Sequence, residues 1–271
     1  MVTRGIHVEI LESMDSSCFI NALRRFFAIR GPVKQIRSDC GTNFVGACNE
    51  LGHQLVDKDC VKRYLLGRGC EWIFNPPHAS HMGGAWERLI GMARRILDSV
   101  LREVKPSRLT HEVLVTLMAE VSAILNSRPL LPDSDDPELP INLSPNMLLT
   151  MKASQITAPE GPFNQNDLLR NQWRRVQHLS NMFWLKWRKH YLPLLQARRK
   201  WQTPMKDLQK DDVVLVRDSA SSRCSWPFGR ILHVEPSADG RVRKVSIEMA
   251  DAKRVLRPIS ELILLVPAKR I

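Results

Sequence analysis

The chain has 271 residues, 44% of them hydrophobic, which is enough for one large domain or two smaller ones with separate cores. Lysine and arginine total 40 against 28 acidic residues, and the formal net charge of +12 favours a polyanionic partner such as nucleic acid. A basic ribosomal, nucleolar or membrane-surface protein is the alternative. No apolar run reaches the roughly 18 residues of a membrane span, so the sequence predicts no membrane segment.

The six cysteines form no Cys-x-x-Cys pair and no zinc-finger spacing with histidine. We therefore interpret them as reduced thiols of a cytosolic or nuclear protein. The chain opens directly on a strand-like pattern, which predicts no signal peptide.

Residues 1–128 predict a layered α/β structure in which short strands alternate with helices. The first strand covers residues 6–12, IHVEILE, where Ile6, Val8 and Ile10 alternate onto one face. A helix follows, capped by Asp15. The next elements are helices over 15–30, 44–55, 84–101 and 111–126 and strands over 33–38 and 70–77.

Three further regions follow this core. Residues 129–165 predict a linker, because residues 129–162 hold seven of the 17 prolines and five acidic residues. Residues 166–208 predict a basic, aromatic helical segment, with ten Lys/Arg and no acidic residue over 168–206. Residues 209–271 contain short strands joined by tight turns and predict a small β-barrel of SH3-like size.

Two carboxylates stand where an α/β protein can build a metal site. Asp39 follows the strand VKQIRS, and Glu87 lies in the first turn of the helix over 84–101. Phosphoryl-transfer enzymes hold two divalent ions with few carboxylates, water and substrate phosphate. Both residues also have an ordinary structural explanation, since Asp is common in turns and Glu is favoured near a helix N-terminus.

The sequence blocks around these carboxylates resemble a known family. TRGIHVEILESMDSSCFINALRRFFAIRGPVKQIRSDCGTNFVGA and then FNPPHASHMGGAWERLIG are similar to the integrase catalytic core of BEL/Pao-type LTR retrotransposons. PSRLTHEVLVTLMAEVSAILNSRPL resembles the segment after that core. DDVVLVRD, WPFGRIL, DGRVRKV and LRPISELILL resemble the uncharacterised domain at the end of those polyproteins, so the resemblance covers essentially the whole chain.

This resemblance implies both a fold and a site. The implied fold is α/β, with an N-terminally truncated ribonuclease-H-like integrase core, then a helical basic segment and a small SH3-like β-barrel. The implied chemistry is metal-dependent strand transfer in DNA integration, using an Asp, Asp, Glu triad with Mg²⁺ or Mn²⁺. Asp39 matches the second Asp and Glu87 the Glu, so both are candidate catalytic residues and metal ligands.

Two departures from the family bear on activity. The family's first Asp lies on a strand upstream of the TRGIHVE strand, so a chain starting at Met1 is expected to be inactive in strand transfer by itself. Cys40 stands where the family has Asn and is a weaker hydrogen-bond partner. The alternatives are an active polynucleotidyl transferase with a mis-assigned start, or a non-enzymatic adaptor that binds a chromatin protein.

The basic residues of the helices and the barrel are the candidates for DNA binding. The competing interpretation buries the stripe containing Trp173 and Trp184 and leaves the basic residues on an ordinary solvated face. The expected partners are DNA and a chromatin protein, in the nucleus, with a homo-oligomer implied by the family. The candidates are Arg88, Arg94, Arg95, Arg174, Arg175, Lys186, Arg188, Lys189, Arg198, Arg199, Lys200, Arg230, Arg241 and Arg243.

Overall fold

A computed structural model gives the architecture of the chain, which is mixed α/β. In the described part of the chain, no helix is both long and apolar enough to cross a membrane. The structure describes residues 3–13, 15–38, 58–74, 84–130, 143–152, 158–169, 171–195, 208–218, 221–236 and 242–268. The predicted helix over 44–55 lies outside these ranges.

The described residues of the N-terminal part form a long helix, a short helix and two short strands. Helix α1 begins after Asp15, whose carboxylate accepts a hydrogen bond from the backbone N–H of Cys18 at 2.7 Å. The Ser13 hydroxyl and then this N–H lower the pKa of the Asp15 carboxyl. The helix stops at Gly31, whose φ of 82° suits glycine. The bounds are α1 Ser16–Arg30, β1 Gln35–Ser38, α2 Lys58–Leu66 and β2 Glu71–Phe74.

Strands β1 and β2 form a parallel pair, with Gln35 opposite Glu71 and Ser38 opposite Phe74. The chain between them includes α2, because parallel strands need a long crossover connection. The two strands therefore end at the same edge of the pair. They pack with α1 and α2 in an apolar cluster that includes Phe19, Leu23, Leu65, Cys70 and Trp72.

Residues 6–12 are not paired in a sheet, contrary to the predicted strand. The alternation did identify the apolar face, because Ile6, Val8 and Ile10 pack against the helical core. In place of a neighbouring strand, the Asn126 side chain accepts from the Ile6 N–H and donates to the Ile6 carbonyl, both at 2.7 Å. The alternation of apolar residues predicts which face of a segment is buried, but backbone pairing in a sheet also requires a neighbouring strand.

Three helices form the main core. The side chains of Val100, Leu117, Phe183 and Trp187 are completely buried there. The predicted ends of the two earlier helices match the structure, and Pro193 lies inside the last turn of the third helix rather than interrupting it. The helices are α3 Gly84–Leu101, α4 His111–Asn126 and α6 Gln172–Leu195.

Part of the predicted linker is folded against these helices. It contributes the short helix α5, Pro145–Thr150, which is capped by the Ser144 hydroxyl. It also contributes a 3₁₀ turn, Gln165–Leu169, whose Asp167 is 1% exposed. The proline content indicated irregular backbone, but it does not determine whether that backbone docks on a core.

The C-terminal region is a five-stranded antiparallel sheet. Its strand order is β6-β5-β4-β3-β7, and Gly229 is required on β4 because a Cβ there would lie 2.5 Å from the Glu248 carbonyl oxygen. Val214, Ile231, Val245 and Ile247 form its own core. The strands are β3 Val213–Val216, β4 Phe228–Pro236, β5 Val242–Met249, β6 Arg254–Pro258 and β7 Leu262–Val266.

The sheet and the helices share a second core on the opposite side. Leu215, Ile263 and Leu265 of the sheet belong to the same buried cluster as the apolar residues of α3, α4 and α6. Trp226 joins it, with its ring 4.9 Å from that of Trp184 on α6. Helix α6 therefore lies at the centre of the structure, between two helices and the sheet.

Candidate nucleic-acid interface

Helix α3 presents a row of arginines to solvent. Its apolar side, with Met92, Ile96 and Val100, is buried against α6. The opposite side carries exposed arginines, and none of them forms an ion pair with another described residue. These are Arg88, Arg94 and Arg95, and Arg102, just after the helix, is also exposed.

Gly91, which has no side chain, lies among the arginines on this face of α3. Residues 88, 91 and 95 are three and four positions apart and therefore lie on one side of the helix. A Cβ on Gly91 would meet no atom of a described residue within 4 Å, so a phosphate backbone can approach the helix closely at this point. Asp98 and Glu87 also lie on the exposed side and reduce its positive charge.

Most basic residues of α6 are used inside the protein. Arg174 bonds to the buried Asp167 at 2.7 Å. Arg175 is 6% exposed and donates to the carbonyl oxygens of Leu168 and Arg108, both at 2.9 Å. The structure therefore places the Arg175 guanidinium in the interior, away from any DNA-binding surface.

Two further basic residues of α6 bridge to neighbouring segments. Lys186 donates to the carboxylate of Glu103 at 3.1 Å and to Ser99 at 2.7 Å. Arg188 donates to the Asp218 carbonyl at 2.6 Å, and burial lowers the pKa of its guanidinium. Of the described candidates on this helix, Lys189 is exposed.

The aromatic residues of α6 are mostly core residues. Trp187 is stacked between Phe183 at 6.3 Å and Tyr191 at 5.2 Å, with interplanar angles of 10°. Burial raises the pKa of Tyr191 to about 12. Trp173 differs from the predicted buried stripe, because it is 51% exposed and packs on Phe163. It lies in the first turn of α6, at the edge of the core.

A buried polar network joins the helices to the segment before β4. Arg223 is 6% exposed and lies 3.3 Å from the Glu120 carboxylate. It also bonds to Gln177 and to the Asn181 side chain, the latter at 3.0 Å. No sequence pattern predicts this network, because its members are far apart along the chain.

The sheet presents a mixed surface. Arg230 and Arg243 are exposed, and Arg230 stands opposite Glu248, which in turn stands opposite Arg254. The Glu248 carboxylate lies 3.9 Å from the Arg254 guanidinium. The positive charge of this sheet surface is therefore partly neutralised by Glu248. Four other candidates, Arg198, Arg199, Lys200 and Arg241, lie outside the described residues.

The structure describes one of the two candidate metal ligands, Glu87, and not the other, Asp39. Strand β1 ends at Ser38, immediately before Asp39, which lies outside the described residues. Glu87 is exposed in the first turn of α3. Across the described ranges, no three His, Cys, Asp or Glu side chains form a group that could hold a metal. The described residues thus supply one carboxylate and no assembled magnesium centre.

The comparisons with known proteins concern mainly the C-terminal half. Residues 171–265 match a family of unknown function, DUF5641. No curated protein matches the chain.

Among solved structures, the chain is similar to a chain in the cryo-EM structure of the simian T-cell lymphotropic virus intasome in complex with PP2A regulatory subunit B56 gamma. The identity is 13% over 95% of this chain and 67% of that chain, with a TM-score of 0.35, which is too low to support a functional argument. The family match runs from the start of α6 to the end of the sheet, the region united by the shared core.

Proposed function

We propose that this chain is an integrase-related protein that binds duplex DNA with little sequence preference. The observation that carries this proposal is the exposed side of α3, where Arg88, Arg94 and Arg95 form no ion pair with the described residues. Arginines on a solvated helix are free to bind phosphates, and the bare backbone at Gly91 permits close approach.

The integrase relationship has support of a second kind. The sequence blocks IRSDCGTNF and HMGGAWE resemble those of BEL/Pao integrases. The parallel pair β1 and β2, joined through α2, is a unit that a ribonuclease-H-like core contains. The five-stranded antiparallel sheet has the size of an SH3-like domain. We place the protein in the nucleus, where its DNA partner is found.

We further propose that Asp39 and Glu87 descend from a site for Mg²⁺ or Mn²⁺, and that the 271-residue polypeptide transfers no DNA strands by itself. A two-metal centre needs several converging carboxylates, and no group of three His, Cys, Asp or Glu side chains forms around Glu87 among the described residues. Wild type and Glu87→Gln should therefore both give background levels in a strand-transfer assay with Mn²⁺. Activity in the wild type alone would overturn this point.

DNA binding is tested by fluorescence anisotropy with two 30-base-pair duplexes of unrelated sequence. Both should bind with similar affinity, and log K should fall linearly with log salt. Replacing Arg88, Arg94 and Arg95 by Ala should weaken binding about 10–100-fold and reduce the salt slope by about 3.

The matched control removes the same charge elsewhere. Replacing Arg24, Lys34 and Lys253 by Ala also takes away three positive charges, all of them exposed and distant in sequence from α3. This variant should keep most of the affinity. Equal losses in both variants would show that net charge, rather than the face of α3, attracts DNA. Absence of binding in the wild type would overturn the proposed function.

A further inference from the structure

Trp173, in the first turn of α6, keeps about half of its side chain in contact with solvent, with an exposure of 51%. Trp72, Trp184, Trp187 and Trp226 are all at most 9% exposed, so Trp173 differs from the other tryptophans whose side chains the structure describes. An exposed indole presents a large aromatic surface that packing inside the protein does not use. Tryptophan in this setting is typical of a binding surface.

Two neighbours hold the Trp173 ring in place. The Phe163 ring lies 5.7 Å away at an interplanar angle of 82°, which is an edge-to-face contact. The Arg174 guanidinium lies over both rings, 5.2 Å from the centre of Phe163 and 5.5 Å from that of Trp173. The exposed indole is therefore ordered before a ligand arrives, which lowers the entropic cost of binding.

Arg174 is itself fixed by the protein. Its guanidinium donates to the Asp167 carboxylate at 2.7 Å and to the Pro162 carbonyl at 2.9 Å. Asp167 is 1% exposed and also accepts from the Asn164 N–H at 2.8 Å. Because Asp167 neutralises Arg174, the surface at Trp173 offers an aromatic face rather than a free cation. Such a face suits a planar, uncharged group better than a phosphate.

The residues next to Trp173 in the chain are rich in exposed amide side chains. Residues 164–173 have the sequence NQNDLLRNQW, and all five Asn and Gln residues are exposed. An amide side chain has both donors and an acceptor, which match the mixed donors and acceptors on nucleobase edges. Leu169, 65% exposed, adds apolar surface that a thymine methyl group can contact. A purely apolar peptide would leave the amides without partners, so the composition favours a nucleobase.

A cation for an adjoining phosphate lies close by. The Arg108 guanidinium donates to the Leu169 carbonyl at 3.2 Å and forms no ion pair with a described residue. Leu169 precedes Trp173 by four residues, which span at most about 14 Å. Arg102 and Lys105, between the end of α3 and Arg108, are exposed. Basic side chains therefore continue from the end of α3 toward Trp173.

We propose that Trp173 stacks on an unpaired base of single-stranded DNA, with Arg108 binding a neighbouring phosphate. This inference rests on the proposed DNA binding for the kind of partner, but it concerns a different contact. The arginines of α3 bind phosphates of a duplex, whereas Trp173 requires a base that is not stacked in a helix. Trp173 therefore contributes to the binding of single strands and not to that of blunt duplexes.

The probes are two fluorescein-labelled 12-mers of equal charge, oligothymidylate and a chain of abasic tetrahydrofuran sites, each titrated with the full chain. Because both carry the same phosphates, the ratio of their affinities measures the contribution of the bases. Oligothymidylate should bind about 5–100-fold more tightly, the effect of stacking one base on an aromatic side chain. Arg108→Gln should weaken both probes by a similar factor. Equal affinities of the wild type for the two probes would overturn the proposal.

Substitutions at Trp173 identify the contact. Trp173→Phe keeps an aromatic face and should retain most of the preference for oligothymidylate, whereas Trp173→Leu keeps only apolar bulk and should lose it. The matched control is Leu185→Ala, which removes a side chain that is 54% exposed and about 18 Å farther along α6, and it should leave the preference unchanged. Circular dichroism checks that each variant is folded. A preference that survives Trp173→Leu would overturn the stacking contact.

A blunt duplex separates this proposal from the proposed function. Trp173→Leu should bind the 30-base-pair duplex as tightly as the wild type does. Replacing the three arginines of α3 should weaken duplex binding without changing the ratio of the two 12-mer affinities. Duplex binding with no preference for oligothymidylate would overturn the stacking site alone. A preference for oligothymidylate with no duplex binding would support the stacking site and overturn the proposed function alone.

Discussion

Helices α3 and α6 have a similar general composition, but the basic side chains of one face solvent and those of the other bond within the protein. Both are amphipathic, and both carry several arginines or lysines. On α3 the arginines lie on a solvated side with no ion pair to a described residue. On α6, Arg174, Arg175, Lys186 and Arg188 all bond to neighbouring segments.

The difference follows from where each helix lies in the fold. Helix α3 is packed on one side, and the exposed arginines of its other side meet no acidic partner among the described residues. Helix α6 has α3, α4 and the sheet around it, so a long cationic side chain finds carbonyl or carboxylate oxygens within reach. A basic segment is thus a poor indicator of a nucleic-acid interface until its packing is known.

The largest expected effect concerns Arg175 on α6. Arg175→Met should lower the free energy of unfolding by about 3 kcal/mol, because two carbonyl oxygens lose charge-assisted hydrogen bonds in a buried place. Arg95→Ala on α3 should change it by less than about 0.5 kcal/mol. Urea unfolding measures both. Similar losses in the two variants would break the distinction between the helices.

A second prediction separates stability from binding at Gly91. Gly91→Ala should raise the free energy of unfolding by about 0.5–1 kcal/mol, since the site is open and alanine favours helix. Gly91→Glu should gain less stability and bind DNA about tenfold more weakly, because it places a carboxylate among the arginines. Chemical denaturation and fluorescence anisotropy give the two values. Unchanged DNA affinity in Gly91→Glu would remove Gly91 from the interface.

A third prediction uses the buried hydroxyl of Tyr191 on α6. The unfolded chain releases this proton near pH 10, whereas the folded protein holds it to a pKa of about 12. The free energy of unfolding should therefore fall as pH rises from 10 to 12 and be unaffected below 10. Between pH 9 and pH 11, Tyr191→Phe should lose about 1 kcal/mol less than the wild type. Equal losses of unfolding free energy in the two proteins would show that burial does not raise the pKa of Tyr191.

The smallest effect is expected for the ion pair that joins the two helices. Lys186 of α6 and Glu103, just after α3, are both partly exposed, so their coupling should be only about 0.2–1 kcal/mol. A double-mutant cycle with Lys186→Met and Glu103→Gln measures it, and 1 M salt should reduce it. A coupling above about 2 kcal/mol would mean that the pair is shielded from solvent in solution.

Local patterns in the sequence predicted much of the helical structure. The Asp15 cap and the helices over 84–101 and 111–126 all depend on residues within a few positions of one another. The face of residues 6–12 was predicted for the same reason. Whether these residues pair in a sheet, however, depends on a partner strand elsewhere in the chain, so no local sequence pattern predicts it.

The residues of the candidate site differ in the same way, because some depend on local spacing and others on distant partners. The exposed arginines of α3 could be predicted from helical spacing alone. The burial of Arg175 and Arg223 could not, because their partners Arg108 and Glu120 lie far away in the chain. Asp39 stays a prediction, since it falls outside the described residues.

The position of α6 also limits how this protein can be divided. A fragment beginning at α6 would keep the sheet but would expose the stacked rings of Phe183 and Trp187, which the other helices now cover. A fragment ending before α6 would leave the buried side of α4 uncovered. We therefore expect α3, α4, α6 and the sheet to melt together as one cooperative unit. Fragment boundaries drawn from the family match alone would cut through that unit.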